Sequence, residues 1–239
     1  MRSLGALVVI AALASLSACS SRAPETPVSQ SDWDHARAAL ANVRARTPHA
    51  SYVERIRVAF KEPRTGKVFA GRGAIAVDPH NALRMILLGP AGTTALDVWA
   101  TNDHWRFAIP PANVMRRGGA ESPAELPVGF FRSWFLRPYE GELLTITHDD
   151  LVLRDRAAVL RIQGVLVPGV APLRVTRREG ESVEWLEVQD RGAHPPVGER
   201  VRYRAMSTGL EVEVLVESLS PDPADPAAFL DPDVEEVSL

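Results

Sequence analysis

VRYRAMSTGLEVEVLVES, residues 201–218, decides how this chain folds. Val201, Tyr203 and Ala205 alternate with Arg202 and Arg204, and beyond Thr208-Gly209 the valines 212, 214 and 216 alternate with Glu211, Glu213 and Glu217. A period of two puts the apolar set on one face of a strand and the charges on the other. Gly209 marks a hairpin turn, since glycine tolerates positive φ. A two-residue loop there pairs Ala205 with Val212, Tyr203 with Val214 and Val201 with Val216. It also sets Arg204 opposite Glu213 and Arg200 opposite Glu217 on the solvent side. The three valines should then point into the interior of a curved sheet.

The same grammar extends in both directions. From Tyr52, the side chains of Ile56, Val58 and Phe60 share one face and Arg55 and Arg57 the other, with Glu54 falling on the apolar face against the pattern. Strand-like runs follow at 68–77, 82–88, 93–99 and 104–109, then at 142–148, 150–155, 158–165, 171–178, 183–189, 199–206 and 210–217. Turn signals such as Thr65-Gly66, Asp78-Pro79 and Asn102-Asp103 separate them. So many short strands joined by tight turns predict a mainly β fold, an antiparallel sheet that is strongly curved or closed.

Two segments break this pattern. Trp33, Ala36, Leu40 and Val43 recur at helical spacing after Ser31, whose distance to Asp34 is that of a capping box; Pro48 stops the element. Between Pro123 and Arg137, PAELPVGFFRSWFLR is apolar nearly all round as a helix. Such a helix is buried or covers something apolar, so it either plugs the open end of the sheet or lids a lipid-sized cavity. Beyond Arg204 no basic residue occurs, and 221–239 reads as an acidic, proline-rich surface tail in which Phe229 and Leu230 can dock.

The N-terminus carries Arg2 and then an apolar run from Leu4 to Leu16, too short to span a bilayer but suited to a secretory signal. Leu16-Ser17-Ala18-Cys19 resembles the lipobox of bacterial lipoproteins. That resemblance implies cleavage after residue 18 and acylation of Cys19, the chain's single cysteine. Two or more acyl chains make a stable anchor without a spanning helix. Residues 19–31 then form the lipidated Cys and its tether, whose twelve residues from Ser20 reach about 37 Å when extended. Ser20 after the Cys is not the Asp of the best-known retention signal, so the outer membrane is the expected destination. Cys19→Ser should release a soluble periplasmic form or leave the signal uncleaved; a variant processed and membrane-bound as before, by fractionation, refutes the lipobox.

Residues 32–220 suffice for one β-rich domain. Without the signal the chain has 26 basic and 30 acidic residues, which argues against nucleic acid as a partner. There is no G-x-S-x-G elbow, H-E-x-x-H, P-loop or dinucleotide fingerprint, so the sequence offers no catalytic residue, cofactor or metal site. His148-Asp149-Asp150 is a close His/carboxylate cluster, and it reads as a solvated turn. Arg116-Arg117 before Gly118-Gly119 reads as a basic loop, with lipid headgroups as its alternative contact.

A family resemblance joins these features. Pro90, Gly92, Thr94, Leu96 and Val98 match a hairpin pattern of the LolB family of outer-membrane lipoprotein receptors. Phe131-Arg132-Ser133-Trp134-Phe135-Leu136 resembles that family's apolar helix. The order of elements agrees as well. The resemblance implies a half-open antiparallel barrel with an N-terminal helix and an apolar lid or plug helix, enclosing an acyl-binding cavity. On this fold the cavity lining comprises Ile56, Val58, Leu96, Val98, Trp105, Phe107 and Val214, with Phe130, Trp134 and Phe135 from the helix. The hairpin tip Pro90, Ala91, Gly92 would face the membrane. Where the family has a bulky Leu between Pro and Gly, this chain has Ala91; Leu87 and Leu88 flank the turn. The implied partners are membrane lipid, lipoprotein cargo and a periplasmic carrier, acting on a monomer. A filled interior would instead suit an assembly lipoprotein that works through protein contacts.

Overall fold

The computed structural model describes residues 27–45, 47–63, 65–147, 150–166, 173–189, 197–220 and 222–235. The signal, Cys19, most of the tether and His148-Asp149 lie outside the described residues. Thirteen strands form one sheet. The first six are β1 Tyr52–Lys61, β2 Val68–Asp78, β3 Ala82–Leu88, β4 Thr94–Thr101, β5 Trp105–Ile109 and β6 Val114–Gly118. The others are β7 Glu142–Thr147, β8 Asp150–Asp155, β9 Ala158–Gln163, β10 Leu173–Glu179, β11 Ser182–Gln189, β12 Arg200–Ala205 and β13 Glu211–Leu219. Their order is β6-β5-β4-β3-β2-β1-β13-β12-β11-β10-β9-β8-β7, every described pair is antiparallel, and β6 and β7 are left as edges. The sheet is thus two meanders joined where β1 meets β13, curved but not closed.

Alternation placed these strands well, with one omission. Arg116 and Arg117 belong to an edge strand rather than a loop: Arg117 pairs with Arg106 and Arg116 with Phe107. VMRRG has no two-residue period because β6 is exposed along most of its length, so neither face imprints a pattern on it. Close approach helps β2 follow β3: a Cβ at Gly73 would sit 1.8 Å from the Ile86 carbonyl oxygen.

The hairpin at residues 205–211 keeps the expected faces but not the expected partners. Tyr203 pairs with Val212, Val201 with Val214 and Arg204 with Glu211. The loop is longer than two residues: the Ala205 N–H donates to the Leu210 carbonyl, and the N–H of Gly209, at φ 76°, donates to the Ala205 carbonyl. The partners slide by two positions, so each side chain stays on its own face. Val212, Val214 and Val216 are buried as anticipated. Outside, Glu213 takes Arg202 at 3.0 Å and Arg200 at 3.6 Å, while Glu217 turns to Arg57 and Arg72 at 2.9 and 3.1 Å.

Helix α1 spans Gln30–Arg44, two residues longer at its start than Ser31 suggested. Ser29 is the N-cap. Its Oγ accepts from the Asp32 N–H at 3.1 Å and donates to the Asp32 carboxylate at 2.7 Å, the same three-residue spacing two residues earlier. Ala36 and Leu40 are buried, as the helical face required. At its other end Arg44 donates to the carbonyls of Tyr139 and Gly141, fastening α1 beside the start of β7.

The acidic C-terminal segment docks on the sheet's outer side within its described part. Trp99 Nε1 donates to the Phe229 carbonyl at 3.0 Å, and Asp233 bridges Arg106 and Arg117 at 3.2 and 3.1 Å. Arg106 and Arg84 both reach Asp97, so a chain of ions lies between β3, β4, β5 and this segment.

Candidate functional site

The apolar segment sits where the curved sheet would otherwise stand open. After Pro127 it makes one α turn, α2 (Val128–Phe131), which widens into a π turn over Arg132–Leu136. A π turn rotates the side chains that follow it, and such turns are frequent at functional sites. Val128, Phe130, Phe131, Phe135 and Leu136 are buried, whereas Trp134 is only partly so. Phe130 stacks on Tyr203 of β12 with ring centroids 4.7 Å apart, and Trp134 meets Tyr139 edge-on at 5.8 Å. The space directly beneath the helix is therefore filled by its own side chains.

Beside the helix the sheet is open. A groove of about 560 Å³ runs between the apolar segment and the inner face of β9–β12, within the size of known small-ligand sites. Leu160, Val175 and Leu186 contribute its sheet wall, and Leu126 and Trp134 face them. Of the ten residues named for an acyl cavity, Trp134 alone lines this groove. Ile56, Val58, Leu96, Val98, Trp105, Phe107, Phe130, Phe135 and Val214 are buried members of the core. Alternation identifies inward side chains but does not separate those that touch a groove from those that touch each other. Leu160, Val175 and Leu186 carry the same period-two signal.

The rim of the groove is charged. Tyr203 donates to Glu184 at 3.0 Å, and burial, reinforced by that carboxylate, raises the phenol's pKa well above its ordinary value. Arg177 ties Glu179 and Glu184 together at 2.7 and 3.7 Å. On the helical side Arg132 donates to the Ala120 carbonyl at 2.7 Å and to Ser122 Oγ at 3.1 Å. Burial, and next the neighbouring Arg137, lower its pKa. Among the described residues no group of three His, Cys, Asp or Glu side chains is placed to hold a metal ion.

A second surface stands out at one end of the sheet. The β1–β2, β3–β4 and β5–β6 hairpins all turn at this end, because alternate connections of an antiparallel meander share a side. Val68, Phe69, Leu88, Val114 and Met115 are exposed there, from 38% for Val114 to 66% for Val68. The tip Pro90-Ala91-Gly92 stands among them, with Ala91 and Gly92 both left-handed at φ 60° and 77°. The structure also separates the two leucines flanking that tip: Leu87 is buried in the core and Leu88 is half exposed. Leu88 thus presents, beside the tip, an apolar side chain that Ala91 is too small to supply. Arg116 and Arg117 do not add a free basic patch, since Glu125 and Asp233 stand at 3.9 and 3.1 Å from them.

No protein-family model matches the chain, and no curated protein sequence does. Among solved structures its course is similar to a LolA superfamily protein from Nitrosomonas europaea, at 11% identity and a TM-score of 0.47 over 82% of this chain and 97% of that one. It is also similar to a candidate outer-membrane lipoprotein-sorting protein domain from Vibrio parahaemolyticus, at 10% identity and a TM-score of 0.45 over 82% and 94%. A DUF1329 family protein from Desulfovibrio piger stands at 9% and 0.46 over 82% and 96%. Likeness at this level says nothing of ligand or partner.

Proposed function

We propose that this protein is an envelope lipoprotein that binds acyl chains in the groove beside α2 and assists lipoprotein transfer to the outer membrane. The groove carries this reading. It offers an apolar floor, an open side for entry and a rim that can hold a polar head, and it needs no catalytic group. Each methylene moved from water onto that floor contributes about 0.8 kcal/mol. The lipobox at Cys19 would keep the domain within a tether's length of the bilayer, facing the periplasm. The exposed rim formed by Leu88, Phe69, Met115 and the tip Pro90, Ala91, Gly92 would then meet the membrane at high effective concentration.

The packed interior under α2 favours a second reading, in which the same lipoprotein acts as an assembly scaffold through protein contacts. Ala157 separates the two. It is exposed on the β8–β9 turn and lines the groove, so Ala157→Trp narrows the groove without disturbing the core. In titrations of the full mature chain carrying Cys19→Ser with a lauroyl amphiphile, Ala157→Trp should weaken binding by about tenfold, the cost of losing one or two buried methylenes. Absence of binding in the unsubstituted groove would favour the scaffold.

A further inference from the structure

Arg132 is a half-buried cation whose hydrogen-bond partners are both neutral, a backbone carbonyl and a serine hydroxyl. Among the described residues no carboxylate lies within 4 Å of it, and none lies within 4 Å of Arg156 on the opposite lip of the groove. Arg137, another guanidinium on the groove wall, has Glu140 at 3.6 Å and donates to Asn102 at 2.7 Å. Of the acids on the facing wall, Glu179 and Glu184 hold Arg177 and Glu184 also accepts from Tyr203, while Asp155, next to Arg156, stands outside these pairs. The charge of Asp103 favours the Arg132 cation, and Arg137 and Arg156 both act against it. A half-buried guanidinium left without a counter-ion, as Arg132 is, costs free energy that an anion would offset, because charge-assisted hydrogen bonds to a phosphate or carboxylate are the strong kind.

We infer that the groove takes an amphiphile with an anionic, phosphate-type head, seated between Arg132 and Arg156 with Arg137 beside them, and its acyl chain along Leu160, Val175 and Leu186. The inference rests on the groove being a binding site, and it adds the chemistry of the head. Arg132 comes from the π turn and Arg156 from the β8–β9 turn, at φ 53°. The two cations thus approach the groove from opposite sides and would close on a head from both. The apolar floor between them distinguishes this arrangement from a site for a free anion.

Calorimetric titration of the full mature chain carrying Cys19→Ser tests it with three probes: lauroyl lysophosphatidate, monolauroylglycerol and inorganic phosphate. Lysophosphatidate should bind at least about tenfold more tightly than the glyceride of the same chain. Arg132→Gln and Arg156→Gln should each remove most of that preference while leaving the glyceride's affinity unchanged. Arg156 is exposed and its side chain makes no hydrogen bond to the described residues, so its variant reports on the head even if Arg132→Gln perturbs the local fold. Equal affinity for the two lipids, or a preference that survives both substitutions, overturns the anionic head and leaves the groove intact. Inorganic phosphate binding as tightly as lysophosphatidate overturns the amphiphile in favour of a free-anion site. If neither lipid binds, the groove itself is not a lipid site and the inference falls with it.

Discussion

Phe130→Ala should lower the unfolding free energy by about 3–5 kcal/mol, read as a shift of the urea midpoint at unchanged slope. Phe130 is 1% exposed and is held on two sides, by Tyr203 at 4.7 Å and Phe131 at 5.2 Å between ring centroids. Truncation removes the transfer energy of the ring and leaves a cavity that the sheet cannot collapse to fill, since Tyr203 is fixed in the β12 ladder. For a domain of ordinary stability that is a large share of the total. Trp134→Ala should cost clearly less, because Trp134 is only partly buried and lines the groove. Equal losses from the two variants would show that the apolar segment is one uniform plug. A loss below about 1 kcal/mol for Phe130→Ala would show that it is not part of the core.

The second large effect depends on pH. Glu54 is 3% exposed on the inward face of β1, and its Oε2 has no hydrogen-bond partner. Burial, followed by the charge of Glu199, raises its pKa from an ordinary 4.5 to about 8. The same burial lifts the neighbouring Tyr52 phenol, with Glu54 next among the causes. The folded carboxyl therefore keeps its proton while the unfolded one releases it above pH 4.5. The folded state binds more protons across that interval, so stability falls as pH rises, by up to about 1.4 kcal/mol per pH unit. The stabilising contribution is complete below pH 4.5 and is lost by about pH 8. Glu54→Gln keeps the shape and removes the titration. Between pH 5 and pH 8 the natural protein should lose a few kcal/mol more than the variant in denaturant unfolding. Parallel pH profiles for the two proteins would refute the buried neutral carboxyl.

Glu54 was already visible in the sequence as the residue that breaks the alternation of β1, although its protonation depends on its burial and, next, on Glu199, far away in the chain. The strands were legible for a simple reason. Each inward face is buried against one core and each outward face is wet, so a period of two is written into the residues themselves. Wherever both conditions hold, as in β1 or β13, strand and facing were fixed locally, and a register slip of two at the 205–211 hairpin changed neither. Helix α1 and the apolar run around Phe130 announced themselves by their spacing and composition in the same way.

The remainder depends on which elements meet. VMRRG becomes a strand because β5 offers it an unpaired edge, not because of any pattern of its own. The hairpin register follows the loop that Gly209 closes, and the charges pair in it as Arg204 with Glu211 and Arg202 with Glu213. The groove exists because α2 fills one side of the curved sheet and leaves the β9–β12 side open, a difference in volume that no periodicity records. Arg132, Arg137 and Arg156 look in sequence like three scattered surface charges. They line one groove only because a π turn and the β8–β9 turn converge, and in the field of the folded chain their separate charges act on one another.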